Sequence, residues 1–211
     1  MTRKASVIVN GDLVPNPANP HSWMVLKGDE TGREAVPGWR VMFGNLRPVH
    51  RGFAPSLSAL AAAKIMPAAP AGTPVWQATA HRVEVLLPAF AEDALLDPET
   101  LVKRAEAEQP ENPRGLATYI TLTSNPERLH RQYEICREVA RRIVDRLEVA
   151  LILVQHVPAR AASANPPHLH IIVPGPRRLT RFSSFGSFVS ELSSDAGRDL
   201  IIDELETVLG H

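Results

Sequence analysis

The sequence predicts an α+β protein in which an antiparallel central sheet is covered by helices. Three observations predict it. Residues 116–173 read in order as strand, helix, strand, loop and strand. Residues 1–60 hold three short β-like runs separated by turn residues, and 56–66 and 97–109 read as helices. Elements in that order suit one sheet with helices laid over it.

The early runs are SVIVN (6–10), WMVLK (23–27) and WRVMF (39–43), each bounded by Gly, Pro, Asn or Asp, as strands commonly are. SLSALAAAKIM (56–66) follows as a short helix and must stop at PAAPAGTP (67–74), because proline lacks the backbone donor and restricts the residue before it. HRVEVLLP (81–88) reads as a strand. DPETLVKRAEAEQ (97–109) opens with an aspartate suited to the N-cap and a proline at the first helical position.

LATYITLT (116–123) has the β-branched and aromatic content of a strand. Ser124 or Asn125 is expected to cap the next helix, with Pro126 in its first turn and Glu127 near the positive end of its dipole. Leu129, Cys136, Val139, Ala140, Ile143 and Leu147 recur at three- and four-residue steps, so one face of that helix packs. Arg131, Arg137, Arg141, Arg142 and Arg146 lie off that stripe. EVALILVQH (148–156) is an apolar strand, VPARAASANPP a loop, and HLHIIV (168–173) the next strand. Phe182, Phe185 and Phe188, spaced by three, suit the buried face of a further helix.

Composition sets limits. The chain has 211 residues, 44% of them apolar, enough for a real core. No run approaches the ~18 apolar residues of a membrane span, and the first apolar run ends at Val9, short for a secretory signal. A single cysteine, Cys136, excludes an internal disulfide and fits a reducing compartment. The expectation is a cytoplasmic protein with no membrane partner. Net charge is zero, yet residues 114–181 hold eleven Arg against five Asp or Glu. That Arg-rich half points to a polyanionic partner or to an ordinary solvated helix face.

The chemistry concentrates at NPPHLHIIVP (165–174). Residues i and i+2 of a strand share a face, so His168 and His170 project side by side. His156 ends the preceding strand and joins them if the two strands pair. Three neutral imidazoles around one point leave coordination positions open, the pattern of a catalytic rather than a closed structural metal. Such an ion polarises a phosphoryl or carbonyl oxygen. Mn, Mg, Ni or Zn are the candidate divalent metals, and imidazole itself favours the transition metals among them. His21, His50, His81, His130 and His211 lack that spacing and read as surface or packing residues.

The pattern resembles the central motif of MobA/MobL-type mobilisation relaxases, within the wider HUH endonuclease class. A helix runs into an apolar strand ending in His156, a polar loop follows, and Asn165-Pro166-Pro167-His168-Leu169-His170 leads into apolar residues. The strand and helix from 117 to 147 and the stretch FSSFG (182–186) are similar to the family's flanking segments, so the likeness covers roughly residues 115–190. The resemblance implies a relaxase-like HUH fold, with residues 81–211 as its metal-binding core and 1–80 as a β-rich N-terminal segment, either part of the same sheet or separate. It implies metal-dependent nicking and strand transfer of single-stranded DNA for a plasmid or mobile element, alongside other mobilisation or replication proteins. A tyrosine attacks in that family, near the N-terminus. Here the two tyrosines are Tyr119 and Tyr133. Tyr119 reads as a packing residue, and Tyr133 is the candidate nucleophile.

Arg137, Arg141, Arg160, Arg177, Arg178 and Arg181 are the candidate DNA contacts. Two other readings stay open. One is a DNA-binding module that retains the fold without cutting. The other is a histidine-triad nucleotide hydrolase, whose motif also contains HLHII, although Pro166 occupies the place of its first histidine.

Overall fold

Every neighbouring pair in the central sheet is antiparallel. The computed structural model describes residues 5–30, 33–161, 164–194 and 196–210, with backbone alone at 160 and 161. The strands are β1 (Val7–Ile8), β2 (Leu26–Gly28), β3 (Trp39–Leu46), β4 (Arg82–Leu86), β5 (Ala117–Ser124), β6 (Leu151–His156) and β7 (His168–Pro174). They lie in the order β1-β2-β3-β5-β7-β6-β4. Strands from residues 7–46 therefore continue the sheet that carries the histidines. Four helices cover it: α1 (Leu57–Ile65), α2 (Pro98–Ala107), α3 (Leu129–Leu147) and α4 (Ala196–Leu209). The α+β reading with an antiparallel sheet under helices holds.

The two faces have separate cores. On one, α3 and α4 pack Cys136, Val139, Ile143, Ile201 and Leu205 against Val41, Phe43, Ile120, Leu153 and Ile171. On the other, α1 and α2 pack Leu57, Leu60, Leu101 and Val102 against Tyr119, Ile152, Val154 and Ile172. Because β5, β6 and β7 are covered on both faces, their residues are buried at nearly every position rather than at alternate ones. The register then decides which face each side chain enters.

Local signals set several boundaries as expected. The Ser56 hydroxyl accepts from the amide of Ala59 and caps α1. The Asp97 carboxylate accepts from Thr100 at 2.7 Å ahead of Pro98 and caps α2. Three expectations are corrected. The long helix starts at Leu129, not near Pro126, and no side chain caps it. The cause is tertiary: β5 stays paired with β3 through Ser124, opposite Trp39, so the backbone is still extended where the cap was expected. Phe185 and Phe188 lie not on a helix but in β9 (Phe185–Phe188), which forms a hairpin with β8 (Arg177–Leu179), and Phe182 is exposed. Finally, the segment after residue 195 forms α4, an amphipathic helix missing from the sequence reading.

The ends of the described chain are tied together. Arg198 of α4 is 2% exposed and pairs with Asp29, itself 5% exposed. The same guanidinium donates to the carbonyls of Val41 and Ala5. The second Asp29 oxygen accepts from the amide of Val41 at 2.9 Å.

Candidate metal centre

The β6–β7 register builds the centre. His156 is the direct cross-strand partner of His168, and His170 lies two residues on, opposite Val154 and Thr121. All three imidazoles enter the α1/α2 face. Their ring centroids are 5.3 Å (156–168), 4.6 Å (156–170) and 4.8 Å (168–170) apart. One ring nitrogen from each, three ligand atoms in all, lies within 4.8 Å of the others, a group able to hold a metal ion. His170 is fully buried at the back, while His156 and His168 are half-buried and leave one side open.

The surroundings orient the ligands. His156 Nε2 lies 2.6 Å from the carbonyl oxygen of Lys64, and His168 Nδ1 lies 2.9 Å from that of Pro166. A carbonyl only accepts, so both nitrogens must carry the proton. That leaves His156 Nδ1 and His168 Nε2 as lone-pair donors to a metal. His170 Nδ1 meets the hydroxyls of Tyr119 at 2.8 Å and Thr121 at 3.0 Å. Hydroxyls donate or accept, so they serve either tautomer of His170. Its Nε2 lies 3.2 Å from His156 Nδ1 and turns toward the same point. Such outer partners fix ring orientation and ligand basicity.

The electrostatics keep the imidazoles neutral, as ligation requires. Burial, followed by the charges of His168 and Lys64, lowers His156 to about 4. Burial also lowers His168, and it lowers His170 well below its ordinary value. Burial pushes the Tyr119 phenol up, so it stays a neutral hydroxyl.

Three further residues complete the surroundings. Lys64 of α1 is 6% exposed, and burial lowers it to about 8. Its Nζ lies 2.8 Å from His21 Nε2 and 5.1 Å from the centre of the Tyr119 ring. His21 sets its ring edge against Tyr119, and burial, then Lys64, lowers it to about 4. Arg40 is exposed on β3, opposite Thr123, which is in turn opposite His168. The sequence reading missed the roles of Lys64, His21, Tyr119 and Thr121. One signal was available: Lys64 completes the stripe 57, 60, 61, 64 of α1, where packing asks for an apolar residue.

The structure does not bring Tyr133 to the histidines. It lies on α3, across the sheet, in the other core, and its hydroxyl donates to Glu84 at 2.5 Å. Arg82 stacks on its ring, and burial and Glu84 raise its phenol. The expectation of a nucleophile at Tyr133 is corrected accordingly. Tyr119 is near the centre but sits behind His170, 1% exposed. Neither hydroxyl faces the open side.

The candidate DNA arginines are scattered rather than gathered. Arg137 grips Glu84 at 2.8 Å, and Arg141 donates to the carbonyl of Leu87, both on the α3 side. Arg177 is buried, bonded to the carbonyls of Ala105 and Glu108. Arg178 pairs with Glu148 at 3.4 Å, and Arg181 is exposed. These last three follow the far end of β7, about 20 Å along the strand from His168 at ~3.3 Å per residue. The side chain of Arg160 lies outside the described residues.

Among known proteins, one solved structure aligns with a TM-score of 0.51 and 20% identity, over 62% of this chain and 68% of its own. It comes from work on the molecular basis of vancomycin resistance transfer in Staphylococcus aureus. The likeness is one of fold. No family model and no curated protein sequence matches the chain. Among the described residues, no helix is long and apolar enough to cross a membrane.

Proposed function

We propose that the protein binds a divalent metal at His156, His168 and His170 and acts on a phosphodiester of single-stranded DNA. The action is relaxase-like, in the mobilisation of a plasmid or mobile element. The observation that supports this reading is the convergence of three imidazole lone pairs on a point with one open side. His156 and His168 hold their second nitrogens on backbone carbonyls and His170 on two hydroxyls, so the ligands are oriented before any ion arrives. The ion fits that donor set, and when bound it supplies Lewis-acid polarisation of a non-bridging phosphate oxygen. Arg40, one strand removed from His168 across Thr123, is placed to meet the incoming backbone.

The placement of the tyrosines shapes the proposal. With neither phenol facing the open side, the attack is assigned to a water molecule, and the bridging oxygen of the broken phosphodiester leaves as a hydroxyl. The expected product is then a hydrolysed strand, not a 5′-phosphotyrosyl adduct. The same observation favours a second reading, in which the site holds DNA and does not cut it.

The test begins with metal. Mn²⁺, Ni²⁺ and Zn²⁺ are titrated into metal-free protein while thermal unfolding is followed. Ligand at 100 times its Kd adds about 2.7 kcal/mol of stability. His156→Ala, His168→Ala and His170→Ala should each abolish the shift, and a wild type without a shift ends the proposal. End-labelled oligonucleotides then separate cleavage from binding.

A further inference from the structure

The α1 helix buries a lysine where its packing stripe asks for an apolar side chain. Lys64 sets its ammonium over the Tyr119 ring and against His21. Among the described residues no carboxylate pairs with it. Burying an ammonium without a counter-charge is costly, and replacing it with an apolar residue of similar size should be neutral or stabilising. Its titratable neighbours include Tyr119, His21, His156, His168 and His170, and its charge disfavours protonation of the four histidines. The pocket thus holds a cation among neutral imidazoles. A divalent ion would add two more positive charges with no carboxylate to offset them. Such a pocket is incomplete until an anion enters.

We propose that Lys64 is an anion-binding residue of this site, its ε-ammonium turning from His21 to a non-bridging oxygen of the phosphodiester. This rests on the reading of the histidine centre as a phosphodiester site and assigns that site its counter-charge. His21 acts as a positioning residue: it holds the ammonium at 2.8 Å and packs edge-on against the tyrosine behind His170. A charge-assisted bond from a buried ammonium to phosphate is short and strong. That gain offsets the burial that the free protein leaves uncompensated.

The full chain is compared as wild type, Lys64→Met and Lys64→Arg. Two probes are used on metal-free protein: a fluorescent twelve-residue oligothymidylate followed by anisotropy, and inorganic phosphate as its competitor. Mn²⁺-induced thermal shifts are recorded in parallel. Lys64→Met should bind the oligonucleotide at least about tenfold more weakly, melt about 2–4 °C higher and keep its Mn²⁺ shift. Lys64→Arg should retain most of the affinity. Competition by phosphate should disappear with the lysine.

A Lys64→Met protein that binds as tightly as wild type overturns the assignment, as does one that melts lower while its affinity is unchanged. If that variant loses its Mn²⁺ shift, Lys64→Gln, which keeps a polar contact to His21, is judged by the same affinity criterion. Wild-type protein that shows a Mn²⁺ shift but binds neither probe also overturns it, with the metal centre left standing. Oligonucleotide binding that depends on Lys64 in a protein without any metal shift has the opposite meaning. It retains the anion site and removes the metal centre.

Discussion

The α3/α4 face of the sheet and the histidine end of its other face treat charge differently. On the α3/α4 face, cations meet carboxylates: Arg198 on Asp29, Arg137 on Glu84, and Arg142 and Arg146 together on Glu204. On the α1/α2 face, Lys64 and the three histidines meet no carboxylate among the described residues. Arg177, at the far end of that face, is satisfied by carbonyls. The paired face has its electrostatics completed within the chain, and so reads as structure. The unpaired end is completed only by something added. Titratable groups placed without partners are the stronger sign of a site, and abundance of arginine is the weaker one.

Experiments that break one face should leave the other intact. The largest effect is expected at Asp29→Ala. It strands a buried guanidinium and should cost about 3–5 kcal/mol in denaturant unfolding, while metal affinity measured on the folded fraction stays unchanged. Acidification acts on the histidine face. His21 and His156 have folded values near 4, below the ordinary 6.5. The unfolded chain therefore takes up protons first as pH falls. Their contribution is present above pH 6.5 and is lost as pH drops towards 4. Melting temperatures should fall across that window, and His156→Gln should flatten the fall.

Smaller effects sharpen the contrast. Tyr119→Phe removes one of the two hydroxyls on His170 and should weaken metal binding roughly 10–100-fold, read by competitive chelation. Tyr133→Phe removes a bond to Glu84 and should cost about 1.5 kcal/mol in stability, with no change in metal affinity or strand cleavage. A cleavage defect in that variant would return Tyr133 to the chemistry. Smallest of all, Arg181→Ala should shift stability by less than about 0.5 kcal/mol and leave oligonucleotide affinity unchanged.

The legible part of the site was the part written in local sequence. The alternation of His168 and His170 fixes a shared face, and His156 joins them once β6 pairs with β7. The partners of His156 and His170 were not legible, because Lys64, Tyr119 and Thr121 come from α1 and β5, distant in sequence. Arg177, Arg178 and Arg181 misled for the converse reason. They are close to the histidines in sequence, but a seven-residue strand carries them to the opposite end of the sheet. Strand and helix types were legible from composition and caps for most of the chain. The start of α3 was not, because pairing of Ser124 with Trp39 overrides local capping signals.

The bond between Arg198 and Asp29 spans 169 positions of sequence. A ribosome releases Asp29 long before Arg198. Until the last helix emerges, the nascent chain holds a buried-site carboxylate with no partner and an apolar face of β3 with nothing to cover it. Contacts of such separation slow folding, and an early sheet with an open face is prone to pair with other chains. Loss of the final helix by premature termination would therefore cost more than its own length suggests. It would leave the first three strands soluble only with help, and the histidine strands without a stable sheet to join.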